Sequence, residues 1–129
     1  MIRDILLVDD DLDDVDLFRE ALNEVDSLVN FHSAKNGLDA LELLHSTQII
    51  TPDLIFLDIN MPAMNGWRCL VELKNTPLLK QIPVVMYSTS ATKMDEQRAS
   101  GLGAKCIYQK PERFEDLKRL LKTVIGEFA

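Results

Sequence analysis

The sequence has no long apolar run. Its longest purely apolar stretches, such as Ile5–Val8 and Leu54–Leu57, are four residues long, against the roughly 20 that a membrane-spanning helix needs. Basic side chains are also scarce: 14 Lys and Arg stand against 21 Asp and Glu, for a net charge of −7 at pH 7. That balance repels phosphate backbones and anionic lipid, so neither nucleic acid nor a membrane surface is an expected partner. The basic-then-apolar start runs into acid after four apolar residues, so no signal peptide is expected. Two cysteines, Cys69 and Cys106, lie within apolar segments and are expected to be buried thiols in a reducing cytoplasm rather than a disulfide. Internal repeats, low-complexity tracts and Pro/Gly/Ser linkers are absent. What remains is 129 residues, 47% hydrophobic and 27% charged, the make-up of one globular domain spanning 1–129. A chain of that size buries roughly two-thirds of its unfolded surface and needs no staples.

Two kinds of segment alternate along it. Short apolar runs occur at Ile5–Val8, Leu28–Ser33, Leu54–Leu57, Val84–Tyr87 and Cys106–Tyr108. The near-continuous ones suit strands covered on both faces, as in a parallel sheet. The second is polar at Asn30, His32 and Ser33 and is expected at an edge. Between the runs lie helical stripes: Val15, Phe18, Leu22 and Val25; Leu38, Leu41 and Leu44; Trp67, Leu70, Val71 and Leu73; and Phe114 through Phe128. Lys93–Leu102 offers only Met94, Ala99 and Leu102 and should be the least anchored helix. The order βαβαβαβαβα predicts an open parallel α/β sheet with right-handed crossovers and helices on both faces.

In such a sheet every strand ends at the same edge, where ligands of open α/β folds bind. The residues following the strands are Asp9, Asp10 and Asp11, then Asp58, Ser88 and Lys110. Six of the eight residues from Asp9 to Asp16 are Asp. Asp11, Asp13, Asp14 and Asp16 are accounted for as caps and solvated decoration of a helix start. Asp9 and Asp10 are not, because they follow the first strand directly and face Asp58. Carboxylates held that close repel one another unless a cation intervenes. A hard divalent ion with oxygen ligands fits, and Mg2+ is the usual choice beside phosphate. No His or Cys lies at these ends, which disfavours zinc; His32 and His45 read as structural or surface residues. A carboxylate nucleophile, a metal site, a hydroxyl and an ammonium are the parts of phosphoryl transfer to an aspartate.

The fragments LLVDDD at 6–11, LIFLDINMPAMNG at 54–66, IPVVMYS at 82–88 and KP at 110–111 resemble the receiver domain of two-component response regulators along essentially the whole chain. The resemblance implies a flavodoxin-like, three-layer (βα)5 fold: a five-stranded doubly wound parallel sheet of order 2-1-3-4-5. It implies that Asp58 accepts a phosphoryl group from the phosphohistidine of a sensor histidine kinase or histidine phosphotransfer protein. Asp10, Asp58 and the backbone carbonyl of Asn60 would coordinate Mg2+, with Asp9 acting directly or through water. Lys110 would pair with Asp58 and then with the phosphoryl group, and Ser88 would move to bond a phosphoryl oxygen. The protein would then be a cytoplasmic signalling phosphoacceptor rather than an enzyme, with no output domain, acting on a downstream protein target. The stretch DDDLDDVDLFREAL also resembles single-domain regulators that partner bacterial phytochromes. Monomer and homodimer both remain open.

One position departs from the family pattern. Three residues before Lys110, where the family commonly has Tyr or Phe, stands Ile107, and the aromatic residue is Tyr108. Strand alternation puts the two on opposite faces. Thr89 is also larger than the Ala or Gly often found beside the hydroxyl residue. Among other readings, a phosphatase of the haloacid-dehalogenase type needs an acid two residues after its nucleophile, where this chain has Asn60, which cannot protonate a leaving group. A flavin mononucleotide binder needs N–H donors after the first strand, where three aspartates would repel phosphate. A receiver-fold interaction module acting without phosphorylation would have no need of the full set Asp9, Asp10, Asp58, Ser88 and Lys110.

Overall fold

In a computed structural model, which describes residues 1–46 and 51–128, strands and helices alternate throughout. The order is β1 (Asp4–Val8), α1 (Leu12–Val25), β2 (Asn30–Ala34), α2 (Gly37–His45), β3 (Leu54–Leu57), α3 (Gly66–Asn75), β4 (Val84–Ser88), α4 (Lys93–Gly101), β5 (Cys106–Gln109) and α5 (Phe114–Phe128). The strands form one sheet in the order β2-β1-β3-β4-β5, with every pairing parallel. The open parallel sheet is the one the alternation predicts, and its strand order is the one the family resemblance implies.

Period-two alternation divides the interior. Ile5 and Leu7 of β1 face a core built with Val15, Phe18, Leu22, Leu117, Leu121 and Val124, from α1 and α5. Leu6 and Val8 face the other side, with Trp67, Leu70, Leu73 and Ala99, from α3 and α4. All five residues of β1 and all four of β3 are buried, as befits central strands covered on both faces. Phe18 is fully buried, its ring edge-on to Phe56 and Tyr87 at 4.9 and 5.8 Å, the geometry the ring quadrupoles favour.

Four of the five helix starts are closed by the residue that local chemistry would select. Asp11 accepts from the backbone N–H groups of Asp13 and Asp14, Asn36 from Asp39, and Asn65 from Arg68. Thr92 and Asp95 form a reciprocal capping box on α4. That helix buries only Ala99 and exposes Met94, in line with its poor stripe.

Three sequence expectations need correction. The second strand starts at Asn30 rather than Leu28, because its pairing register sets Asn30 against Asp4. Leu28 is exposed in the preceding turn, its N–H donated to the Asp26 carboxylate. In α2, Leu38 is half exposed and the buried face is Gly37 and Ala40. Met64 sits so near that a Cβ on Gly37 would meet its Cγ at 2.8 Å, so only small residues fit. In α3, Cys69 takes the inward position and Val71 lies at the margin. Cys69 is buried and Cys106 half-buried; both are free, and they lie in the cores on opposite sides of the sheet. Among the described residues no helix is long and apolar enough to cross a membrane.

Candidate functional site

Four strand ends, those of β1, β3, β4 and β5, converge with the loop after β3 on the C-terminal edge of the sheet. Backbone pairing carries the ladder one step beyond the strands. Asp9 donates its N–H to the Ala34 carbonyl at 3.0 Å, and Asp58 donates to the Val8 carbonyl at 2.9 Å. Both side chains are thereby fixed at the edge, and both residues are buried, whereas Asp10 is exposed. Carboxylate oxygens of Asp9, Asp10 and Asp58 all lie within 4.8 Å of one another.

The loop after Asp58 is held by close backbone contact. Gly66 donates its N–H to the Ile59 carbonyl at 2.8 Å, and a Cβ there would stand 2.0 Å from the Asp58 carbonyl oxygen. No side chain fits that approach. Ala63 takes up a left-handed conformation, φ 65°, where the chain turns back toward Gly66; a non-glycine residue there is uncommon. The Asp58 carboxylate accepts the Ile59 N–H through Oδ1 at 2.8 Å, which leaves Oδ2 directed at the site. Asn60, two residues beyond Asp58, is exposed in this loop.

Lys110 enters from the end of β5, its backbone N–H donated to the Ser88 carbonyl at 2.6 Å. Its ammonium donates to Asp9 Oδ2 at 2.7 Å and to Asp14 Oδ2 at 2.9 Å, and stands 3.6 Å from Asp58 Oδ2. It also lies 5.5 Å from the centre of the Tyr87 ring, within cation–π range. Ser88 is buried, and its hydroxyl accepts the Ser90 N–H at 3.4 Å. Thr89 beside it is exposed.

Burial sets the electrostatics. It pushes the Asp58 carboxyl from an ordinary 3.8 up to about 6, against the pull of Lys110, while Asp9 pushes the same way as burial. Asp9 is raised too, by burial, with hydrogen bonds from Lys110 and the Asp11 N–H opposing. Burial alone would lower the Lys110 ammonium, but its bonds to Asp9 and Asp14 outweigh that and raise it. The site therefore holds its lysine charged and makes the ionised form of Asp58 costly to the fold.

Asp9, Asp10, Asp58 and Lys110 are thus brought together, and Ser88 joins them through the backbone of Lys110. Lys110, however, is anchored by Asp9 and Asp14 before Asp58. Asp14 is the residue the sequence reading misplaces as solvated decoration. The overlooked signal is its phase: Asp14, Phe18 and Leu22 are spaced four apart, so Asp14 continues the buried stripe of α1 beyond Val15. The close approach at Gly66 carries no signal of its own, since nothing in its neighbourhood of the sequence reports a backbone contact. A cavity of about 730 Å3 between α3 and α4, lined by Trp67, Arg68, Val71, Arg98 and Leu102, contains none of the edge residues.

The sequence pattern of the response regulator receiver domain matches residues 5–122. The chain belongs to that family. Among curated relatives of this receiver, the polar-differentiation response regulator DivK of Brucella anthropi is 29% identical over 127 residues, covering 98% of this chain and 99% of DivK. Response regulator Rcp1 of Synechocystis sp. is 32% identical over 124 residues, covering 93% of this chain and 84% of Rcp1. The crystal structure of the Mn2+-bound form of Rcp1 superposes with a TM-score of 0.79. The phosphorylated cyanobacterial phytochrome response regulator RcpA superposes with a TM-score of 0.89 at 30% identity, over 99% of this chain and 94% of RcpA. The likeness to RcpA therefore covers the whole fold. This protein is a response regulator of the two-component type.

Proposed function

We propose that Asp58 is the phosphoacceptor of this receiver, with Asp9 and Asp10 completing a divalent-cation site and with Lys110 and Ser88 binding phosphoryl oxygens. The observation that carries the reading is the meeting of three carboxylates within 4.8 Å beside a buried ammonium. The donor set is all oxygen, from two strand ends, with no imidazole or thiolate, and it suits a hard ion such as Mg2+. The backbone carbonyl of Asn60, in the exposed loop past Asp58, would complete it. When bound, the ion neutralises charge on the transferring phosphoryl oxygens.

Asp58 Oδ2, free of the Ile59 N–H that holds its partner oxygen, attacks phosphorus of a phosphohistidine. The P–N bond breaks, its electron pair returns to the imidazole, and an acyl phosphate remains on Asp58. Lys110 supplies positive charge to the incoming oxygens from a seat 3.6 Å away. Ser88, bonded only weakly to Ser90 at 3.4 Å, is free to turn its hydroxyl toward them. The donor is a sensor histidine kinase or a histidine phosphotransfer protein, and the output is contact with a downstream protein through the face of α4, β5 and α5. The chain catalyses its own phosphorylation and dephosphorylation, and no turnover of a separate substrate is proposed. A fold-only interaction module would leave the convergence of Asp9, Asp10, Asp58, Ser88 and Lys110 without a reason.

Intact-protein mass after incubation with Mg2+ and acetyl phosphate tests the assignment. One phosphoryl group should be added, and none with a chelator or in Asp58→Asn. A variant phosphorylated at the wild-type rate refutes it.

A further inference from the structure

The resemblance pairs Lys110 with Asp58, yet the ammonium is bonded more closely to two other carboxylates. It makes two hydrogen bonds, to Asp9 at 2.7 Å and to Asp14 at 2.9 Å, while Asp58 is out of hydrogen-bond range at 3.6 Å. Asp9 belongs to the acidic cluster of the cation site. Asp14 does not: it stands on the first turn of α1, its side chain one-third exposed, and among the described residues its only charged partner is Lys110. The Asp11 carboxylate caps that turn through the backbone N–H groups of Asp13 and Asp14, so the position of Asp14 is built into the helix start. A divalent cation held by the acidic cluster would engage the Asp9 carboxylate as well. Asp14 is then the carboxylate that still holds the ammonium from the side away from Asp58.

We propose that Asp14 is a positioning residue that draws the Lys110 ammonium away from Asp58 and thereby weakens its grip on the phosphoryl group carried there. An ammonium has three donors on a flexible stem, and its location is set by its nearest acceptors. A phosphoryl oxygen at Asp58 must compete with a charged carboxylate already in contact, and each charge-assisted bond weakens when the cation is shared. The strength of the Asp14 bond therefore sets how firmly this receiver retains its phosphoryl group. The inference rests on the phosphoacceptor reading of Asp58.

Beryllofluoride, which mimics a phosphoryl group on a carboxylate, tests it as an equilibrium. Its affinity at saturating Mg2+ is read from the fluorescence of Trp67, the single tryptophan, which follows Gly66 at the Asp58 loop. Asp14→Asn should tighten binding by about three- to tenfold, the coupling usual for contacting charged groups. A gain of affinity is an outcome that mere damage to α1 would not produce. Asp13→Asn removes the same charge one residue away, where the carboxylate does not reach Lys110, and should leave affinity within about twofold of wild type. Asp14→Glu, which keeps the acceptor, should stay near wild type. Unchanged or weaker binding in Asp14→Asn overturns the proposal, as does equal tightening in Asp13→Asn, which would make the effect one of overall charge. Wild-type protein that fails to bind beryllofluoride overturns the phosphoacceptor reading, and this inference with it. Wild-type binding without an Asp14→Asn effect overturns this inference alone.

Discussion

Replacing Asp58 by Asn should stabilise the metal-free protein at pH 7, and the gain should disappear on acidification. Folding raises the Asp58 carboxyl from 3.8 to about 6, so the native state binds this proton more tightly than the unfolded chain. The ionised carboxylate is then a penalty on folding. It is absent below the unfolded value near 4, grows as pH rises, and is complete above pH 6. Two pKa units correspond to about 3 kcal/mol at most. The asparagine recovers less than that, because Lys110 loses its 3.6 Å contact with Asp58. It keeps Asp9 and Asp14, however, and an amide oxygen can still accept the Ile59 N–H. A net gain of about 1–2 kcal/mol at pH 7 becomes a rise in melting temperature of roughly 3–10 °C for a domain of this length. Melting curves in chelator at pH 7, 6 and 5 should show the difference between variant and wild type shrinking stepwise. Saturating Mg2+ should reverse its sign, because the wild type keeps a ligand that the variant lacks. A difference independent of pH, or a variant less stable than wild type at pH 7 in chelator, refutes this account of the site's electrostatics.

Asp10 is the exposed member of the cluster, so Asp10→Asn should change metal-free stability by less than about 1 kcal/mol. It should nevertheless weaken Mg2+ binding about tenfold or more, since ligand charge sets affinity in such sites; an unchanged Mg2+-induced melting shift removes Asp10 from the ligand set. Gly66→Ala drives a methyl group against the Asp58 carbonyl oxygen, 2.0 Å from the ideal Cβ, and should cost about 3 kcal/mol of denaturation free energy. It should also slow phosphorylation by displacing the Asp58 loop, and stability equal to wild type would show that the loop can move aside.

The layout of the fold was legible because the same rule governs all five strand-helix units: apolar runs become strands, and three-four stripes become helices. What escaped depends on contacts between distant segments. The start of β2 follows from the pairing of Asn30 with Asp4, and the inward place of Gly37 goes with Met64 lying close against it. Neither partner is near in sequence. The site was legible for a related reason, since a parallel sheet sends every strand end to one edge and names Asp9, Asp10, Asp58, Ser88 and Lys110 together. Asp14 was obscured by abundance. In a run of six aspartates, one facing inward looks like the rest until its helical phase is compared with that of Phe18 and Leu22.

The departure at Ile107 bears on how a change at Asp58 reaches the surface. Met86 pairs with Ile107, and Tyr87 with Tyr108, across β4 and β5. Ile107 packs on the side of the sheet that carries Ala99 and Leu102 of the α4 region. Tyr108 packs on the α5 side, its hydroxyl donated to Glu127 at 3.2 Å. Where the resemblance implies a Tyr or Phe on the α4 side, this chain thus has a branched aliphatic side chain with little polar reason to move. Ser88 lies two residues beyond Met86 on the same strand, and its turn toward a phosphoryl oxygen would leave space near Ile107 rather than a path for a phenol. Because α4 buries only Ala99, little apolar contact opposes a shift of that helix into such space. Movement of α4 itself, rather than rotation of a ring on β5, is the transition this packing favours.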